Sequence, residues 1–471
     1  MVPSPKTILG GGLSGLSAAY YLSKLAGKEK LALIEASNHL GGWIKSEKVD
    51  KEVVFEQGPR TIRPVGAAGI NTLNLLDDLG LNSEVVPITR DNVAAKNRLI
   101  YVNGELHTLP NSILSLLSKQ KPFSKPLALH LMQDLTAKSI KVPDESLYDF
   151  TKRRFGPEIA DYLIDAMLCG ICAGNSREVS VNFLMKKLFM YEQKYGSITK
   201  GVFKHLLDKK EKLPNRGLLA AQAKLGKWNV YTFKGGMETL PIALEGALKY
   251  FGNTQIHLNM KCEKITFNND KCLLDLHDGS QQDSSHIISS IAAKNLAYLI
   301  ANQHPDLANK LAKIKMVDVA VINLFYNGNL IKNPGFGFLV PPKEKLPILG
   351  VIYDSCCHNY QNKTVLTVMM GGYWFKDLFG DDPSEETLFN IARDNLNKIL
   401  NISDEPVQYK VNILRQCIPQ YLVGHQQNLE EINKYIKDKK LPLSLCGASY
   451  NGVGVNDVIL SAKNAVENIY L

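Results

Sequence analysis

The chain has 471 residues, 45% of them apolar and 21% charged. That is enough for two or three domains with sizeable cores, and it excludes a disordered chain, a collagen and a coiled-coil rod. A net charge of +9, from 55 basic and 46 acidic residues, favours anionic small molecules or lipid surfaces without the clustered basicity of a nucleic-acid binder.

A strand is predicted at Lys6–Leu9, so early that no room is left for a cleavable leader. Gly10-Gly11-Gly12-Leu13-Ser14-Gly15 follows, a GxGxxG opening a run at helical spacing (Leu16, Ala19, Tyr20). Such a turn lets backbone N–H groups approach a pyrophosphate, and the positive end of the next helix faces the phosphates. A second apolar run, Leu31–Ile34, ends at Glu35. A carboxylate there accepts hydrogen bonds from ribose hydroxyls and repels a 2′-phosphate, which disfavours NADP.

The pair Gly41-Gly42, then Trp43, and later Phe55-Glu56-Gln57-Gly58-Pro59-Arg60 point to a flavin rather than a nicotinamide. The guanidinium of Arg60 is expected near a phosphate or the flavin ring. At the far end of the chain, Leu443–Ser449, the glycine-rich Tyr450–Asn456 and a helix from about Ile459 to Ile469 read as strand, turn and helix closing the same domain. The flavin domain is therefore expected to be discontinuous in sequence.

From about Asn71 to Lys227 the pattern is mainly helical, with Leu73, Leu76 and Leu79 on one helix and Tyr162–Met167 on another. Asn111–Lys138 mixes leucines with Lys119, Lys121 and Lys125. That mixture suits a helix on an anionic bilayer, and equally an amphipathic helix packed on its own protein. No apolar run reaches the roughly 18 residues of a spanning helix. After Trp228, strands are predicted at Lys261–Phe267, Val319–Tyr326, Phe336–Val340, Leu349–Tyr353 and Thr364–Met370, an antiparallel sheet beside the flavin domain.

Cys169-Gly170-Ile171-Cys172 reads as two packed thiols, because a zinc site needs two more ligands. Cys262 and Cys272 are ten apart, and none of the ten histidines supplies an HxxxH. Cys356 and Cys357 read the same way, and no metal is expected.

Taken together, GGGLSGLSAAYYLS, LGGWIKS, GPRTIRP, FSKP, GICAGNSRE, GFGFLVP, GVIYDS, IPQY, GH and GASYNGVGVND, spread from residue 7 to about 465, resemble the animal-type protoporphyrinogen oxidases. The resemblance implies an α/β fold: a discontinuous Rossmann-like FAD-binding domain (1–70, 228–295, 440–471), an antiparallel-sheet substrate domain (71–95, 205–227, 296–439) and a helical membrane-associated domain (96–204). It implies six-electron oxidation of protoporphyrinogen IX by dioxygen with release of hydrogen peroxide, in heme biosynthesis. The expected location is peripheral, on the mitochondrial inner membrane, facing the intermembrane space. A homodimer and a contact with a ferrochelatase are left open, and no nucleic acid is expected.

Matched motif by motif, FAD contacts fall on Gly10, Gly11, Gly12, Leu13, Ser14, Gly15, Glu35, Ala36, Trp43, Gly58, Pro59, Arg60, Thr61, Lys261 (through its main chain), Ala448, Val453, Gly454 and Val455. Arg98 corresponds to the residue that holds a substrate propionate, as a planar guanidinium can do bidentately. The substrate pocket corresponds to Phe336, Leu339 and Met369 facing Gly170 and Ala173. Strict alternation puts Phe336 and Leu339 on opposite faces unless the strand bulges or twists at Gly337. In the implied chemistry a methylene-bridge C–H gives a hydride to flavin N5 while a pyrrole N–H loses its proton, with the Gly170 carbonyl polarising that N–H. The rival readings are another oxidase or desaturase of the flavin amine oxidase type, and a non-catalytic flavin-fold scaffold.

Overall fold

The protein is described by a computed structural model covering residues 4–27, 29–207, 217–268, 271–358 and 360–470. Five strands form an all-parallel sheet in the order Leu443–Leu445, His286–Ser289, Lys6–Leu9, Leu31–Ile34, Thr254–His257. Both faces are covered, as expected of an all-parallel sheet. Ile8, Leu33 and Ile288 face a core shared with Leu16 and Ile459 of the flanking helices Leu13–Ala26 and Val455–Tyr470. Their neighbours Leu9, Ile34, Ile287 and Leu443 face a second core on the other side. Chain segments more than 400 residues apart thus share one sheet.

The second layer is a seven-stranded sheet ordered Gln408–Pro419, Met316–Asn327, Lys363–Gly372, Ile348–Tyr353, Gly337–Leu339, Leu99–Val102, Glu105–Thr108. It is antiparallel except where Gly337–Leu339 pairs with Leu99–Val102 in parallel. Leu99–Val102 and Glu105–Thr108 fall in the stretch assigned above to the helical domain. All four residues of Leu99–Val102 are buried, so no polar face shows the alternation that marks a half-exposed strand. Val85–Thr89 likewise interrupts the helical stretch, pairing with Trp228–Phe233.

Residues 113–207 fold largely as helices. Asn111–Lys138 supplies two short ones, Ile113–Leu117 and Leu127–Gln133, not a single amphipathic rod. This lobe is tied internally by the buried pair of Arg154 and Asp134, the latter also accepting from Ser197 Oγ and the Thr199 amide, both at 2.7 Å. Among the described residues no helix is long and apolar enough to cross a membrane.

Candidate active site

The glycine turn after Lys6–Leu9 is held by main chain. Gly10 N–H donates to Ile34 O (2.9 Å) and Gly41 N–H to Gly11 O (2.9 Å), which brings the two glycine turns together. Gly15 has no room for a side chain, because a Cβ there would come 1.8 Å from Gly10 O. The helix Leu13–Ala26 begins at Gly12 with no side-chain cap and no acidic residue in its first turn. Its leading amides are left for an anion. Glu35 accepts from Gly11 N–H (2.6 Å), Ser37 N–H (2.7 Å) and Ser37 Oγ (2.7 Å), which sets the carboxylate at the edge of that turn.

Arg60 lines the cavity, and its guanidinium is held by protein groups. Its Nε donates to Asp354 Oδ1 (3.1 Å), Nη1 to Gly58 O (2.9 Å) and Nη2 to Glu56 O (2.8 Å). Asp354 Oδ2 accepts from Thr367 Oγ1 (2.7 Å), which in turn accepts from Asn323 Nδ2 (2.8 Å). The guanidinium therefore braces the Gly58–Thr61 segment against the seven-stranded sheet, with three of its five N–H donors going to protein groups. Beside it, Glu56 accepts from Met237 N–H and Ser46 Oγ, both at 2.7 Å. Burial pushes its pKa up to about 7.

A cavity of about 1490 Å³ lies between the two sheets. Of the predicted cofactor residues, Gly10, Gly12, Leu13, Ser14, Glu35, Ala36, Trp43, Gly58, Pro59, Arg60, Thr61, Lys261, Ala448, Val453, Gly454 and Val455 line it, as do the predicted pocket residues Gly170, Phe336 and Met369. Gly11 and Gly15 stand behind the turn, where packing needs them. Gly170 lies in the last turn of the helix Asp165–Cys172, where carbonyls lack helical partners.

Three predicted residues lie off this wall. Leu339 shares a sheet face with Met369 and Ile352, through their pairings with Gly350 and Gly337, but it is covered by Gly170: a Cβ on that glycine would sit 2.6 Å from Leu339 Cδ2. Phe336 reaches the cavity because it precedes the strand and Gly337, at φ +131°, breaks the alternation. Ala173 is buried at the helix end, in left-handed geometry, with its carbonyl accepting from Tyr373 N–H (2.8 Å). Arg98 is exposed beside Asn97, whose carbonyl accepts from Phe336 N–H (2.9 Å).

Residues not singled out from sequence complete the lining: Ile171, Phe183, Val319, Val321, Tyr421 and His425. Tyr421 and His425 belong to the IPQY and GH motifs, which were visible in the sequence without a role. Asp354 lies in GVIYDS, and its partnership with Arg60 spans 294 positions. The Cys169 and Cys172 thiols are both buried, and burial pushes the Cys172 thiol up to about 12.

The family model described as flavin containing amine oxidoreductase matches residues 13–470. Protoporphyrinogen oxidase from Bos taurus is 41% identical over 468 residues, 98% of this chain and 97% of that protein. The Homo sapiens protein of that name is 39% identical with the same coverage. This chain belongs to the protoporphyrinogen oxidase family of flavin-containing amine oxidoreductases. A crystal structure of an Exiguobacterium protein assigned to the same activity superposes with a TM-score of 0.79 at 22% identity, covering 100% of this chain and 99% of that one. A putrescine oxidase variant reaches 0.67 at 15% identity, covering 100% and 99%. These two likenesses speak for the fold alone.

The cofactor of the family is FAD, and the residues present fit it. The uncapped helix at Gly12 suits a pyrophosphate, and Glu35 suits a ribose. The turn Ala448–Val455 faces the same cavity from the other end of the chain.

Proposed function

We propose that this protein oxidises protoporphyrinogen IX to protoporphyrin IX, removing six electrons with dioxygen as acceptor and hydrogen peroxide as product. The single observation that carries the reading is one cavity joining a dinucleotide cradle to an apolar wall of Phe336, Met369, Ile171, Val319 and Val321, in a chain with this kinship. Bound FAD supplies the hydride acceptor. The apolar wall excludes water and holds a flat macrocycle against the cofactor. Gly170 O, near the helix end, accepts from a pyrrole N–H. Arg98 takes a propionate: among the described residues no carboxylate pairs with it, and, although its surface is exposed, partial shielding from solvent and then the charge of Arg63 lower its pKa. An added anion relieves that strain of charge.

On the same reading the helical lobe attaches peripherally to the mitochondrial inner membrane from the intermembrane space. Ile113 (79% exposed) and Leu114 (77%) stand with Leu117, Leu129, Leu131 and Met132 on its surface, with Lys119, Lys121 and Lys125 between the two short helices. Apolar side chains flanked by cations suit an anionic bilayer. Replacing Leu114 and Leu131 together by aspartate is expected to abolish sedimentation with anionic vesicles while leaving the flavin bound. Unchanged sedimentation removes this surface from the attachment.

The deciding experiment adds protoporphyrinogen to the purified yellow protein under air and follows porphyrin fluorescence, with peroxide release from amines run in parallel. Fluorescence without amine oxidation supports the reading. The converse places the protein with the amine oxidases, and a yellow protein that oxidises neither is a scaffold.

A further inference from the structure

Residues 420–425, following the Gln408–Pro419 strand, touch two parts of the cavity wall at once. The Gln420 side-chain amide donates to Cys172 O (2.9 Å), at the end of the helix that presents Gly170. The Tyr421 phenol accepts from Gly452 N–H (2.7 Å) and donates to Ala448 O (2.5 Å), spanning the turn that leads into the terminal helix. His425 lies flat on the Tyr421 ring, with centroids 4.0 Å apart and planes 9° apart. Its Nε2 is 3.1 Å from Tyr450 O, in the middle of the same turn. A carbonyl only accepts, so Nε2 carries the proton.

The opposite side of this segment is fastened to the helical lobe. Tyr421 O accepts from Ser180 N–H (2.8 Å), Gly424 N–H donates to Asp144 Oδ2 (2.8 Å), and the Tyr421 ring meets Phe183 edge-on at 5.0 Å. Tyr421 is itself buried, at 7% exposure. One side chain therefore joins the lobe to the turn over the cofactor.

We propose that Tyr421, with His425 stacked on it, is a positioning residue for the flavin. The pair sets the span of Ala448–Gly452, and thereby where Val453–Val455 meets the cofactor. This rests on the FAD-dependent reading of the cavity. A turn whose ends are pinned by one hydroxyl keeps its shape, and a loosened turn would let the cofactor drift from the reacting carbon.

Tyr421→Phe keeps the stack on His425 and the contact with Phe183 but removes both phenol bonds. The loaded variant is expected to release FAD about tenfold faster on dilution, the effect of losing hydrogen bonds of ordinary strength. Its visible flavin bands should lose fine structure, and kcat should fall while KM stays within about twofold of wild type. His425→Gln keeps an N–H donor and should retain FAD like wild type, whereas His425→Leu should release it faster. Wild-type FAD release, spectrum and kcat in Tyr421→Phe overturn the proposal. So does a fall in melting temperature as large in the FAD-stripped protein as in the loaded one, since that marks a purely structural role. Should Tyr421→Phe fail to fold, His425→Leu decides by the same release measurement. FAD release needs no substrate, so a wild-type protein that holds FAD yet leaves protoporphyrinogen unoxidised ends the substrate reading and not this one.

Discussion

The flavin cradle and the apolar wall face one cavity but are held in different ways. In the cradle, main-chain bonds from Gly10 and Gly41 and the carboxylate of Glu35 lock a turn in which a Cβ at Gly15 has nowhere to go. In the wall, Phe336, just ahead of a strand, Met369 and Val319, from two strands, and Ile171, from a helix end, each contribute one side chain to a surface. Backbone geometry tolerates almost no substitution, whereas apolar lining adapts at modest cost. On the proposed reading, rigidity sits where the cofactor binds, and tolerance where substrate and product exchange.

The largest contrast is expected between two glycines. Gly15→Ala drives a methyl into the fixed Gly10 carbonyl and should yield colourless protein, read from the flavin absorbance at isolation. Gly170→Ala meets only the movable Leu339 side chain at 2.6 Å, so it should keep its flavin and change KM. Equal flavin content in both variants would erase the distinction.

Next in size is the brace between the two regions. The Arg60–Asp354 pair is almost wholly buried, with side chains 6% and 9% exposed. Asp354→Ala leaves a buried charge unpaired and is expected to cost about 3–5 kcal/mol in urea unfolding. A loss below about 1 kcal/mol would mean that the guanidinium finds water instead.

A smaller effect tests Arg98. Arg98→Ala removes a charge-assisted contact and should raise KM roughly ten- to hundredfold with less loss of kcat. The dimethyl ester of the substrate, lacking free carboxylates, should show no such change. An unchanged KM for the acid takes Arg98 out of substrate binding.

The smallest effect is a pH dependence in the cradle support. The pKa of Glu56, raised in the folded state from 4.5 to about 7, favours the protonated form on folding. Its contribution is complete below pH 4.5 and is lost as pH rises through 7. The wild-type melting temperature should therefore carry a component that declines across that window, and Glu56→Gln should lack it. Identical pH profiles would place the titration elsewhere.

The cradle was legible in the sequence because its rules are local. Lys6–Leu9, the glycine turn and Leu31–Ile34 fall at the predicted positions, and GxGxxG with an acid at the next strand end needs no distant partner. The terminal helix was legible too, although it starts at Val455 instead of near Ile459, since Gly454 ends the turn and Asp457 takes its amide at 3.2 Å. Leu99–Val102 was missed because burial on both faces removes the period-two signal. The Asp354 partner of Arg60 was not legible, because it cannot be found from neighbouring residues.

What the sequence by itself determined is the dinucleotide turn, the discontinuous flavin domain and the kinship carried by its motifs, because backbone sterics and short spacings act within a few residues. The tertiary structure alone decided that Arg60 is a brace, that Leu339 and Ala173 stand behind the wall while Phe336 reaches it, and that Tyr421 bridges lobe and cofactor turn. Those outcomes depend on side chains meeting across hundreds of positions, where burial and hydrogen-bond satisfaction, not local pattern, choose the partner.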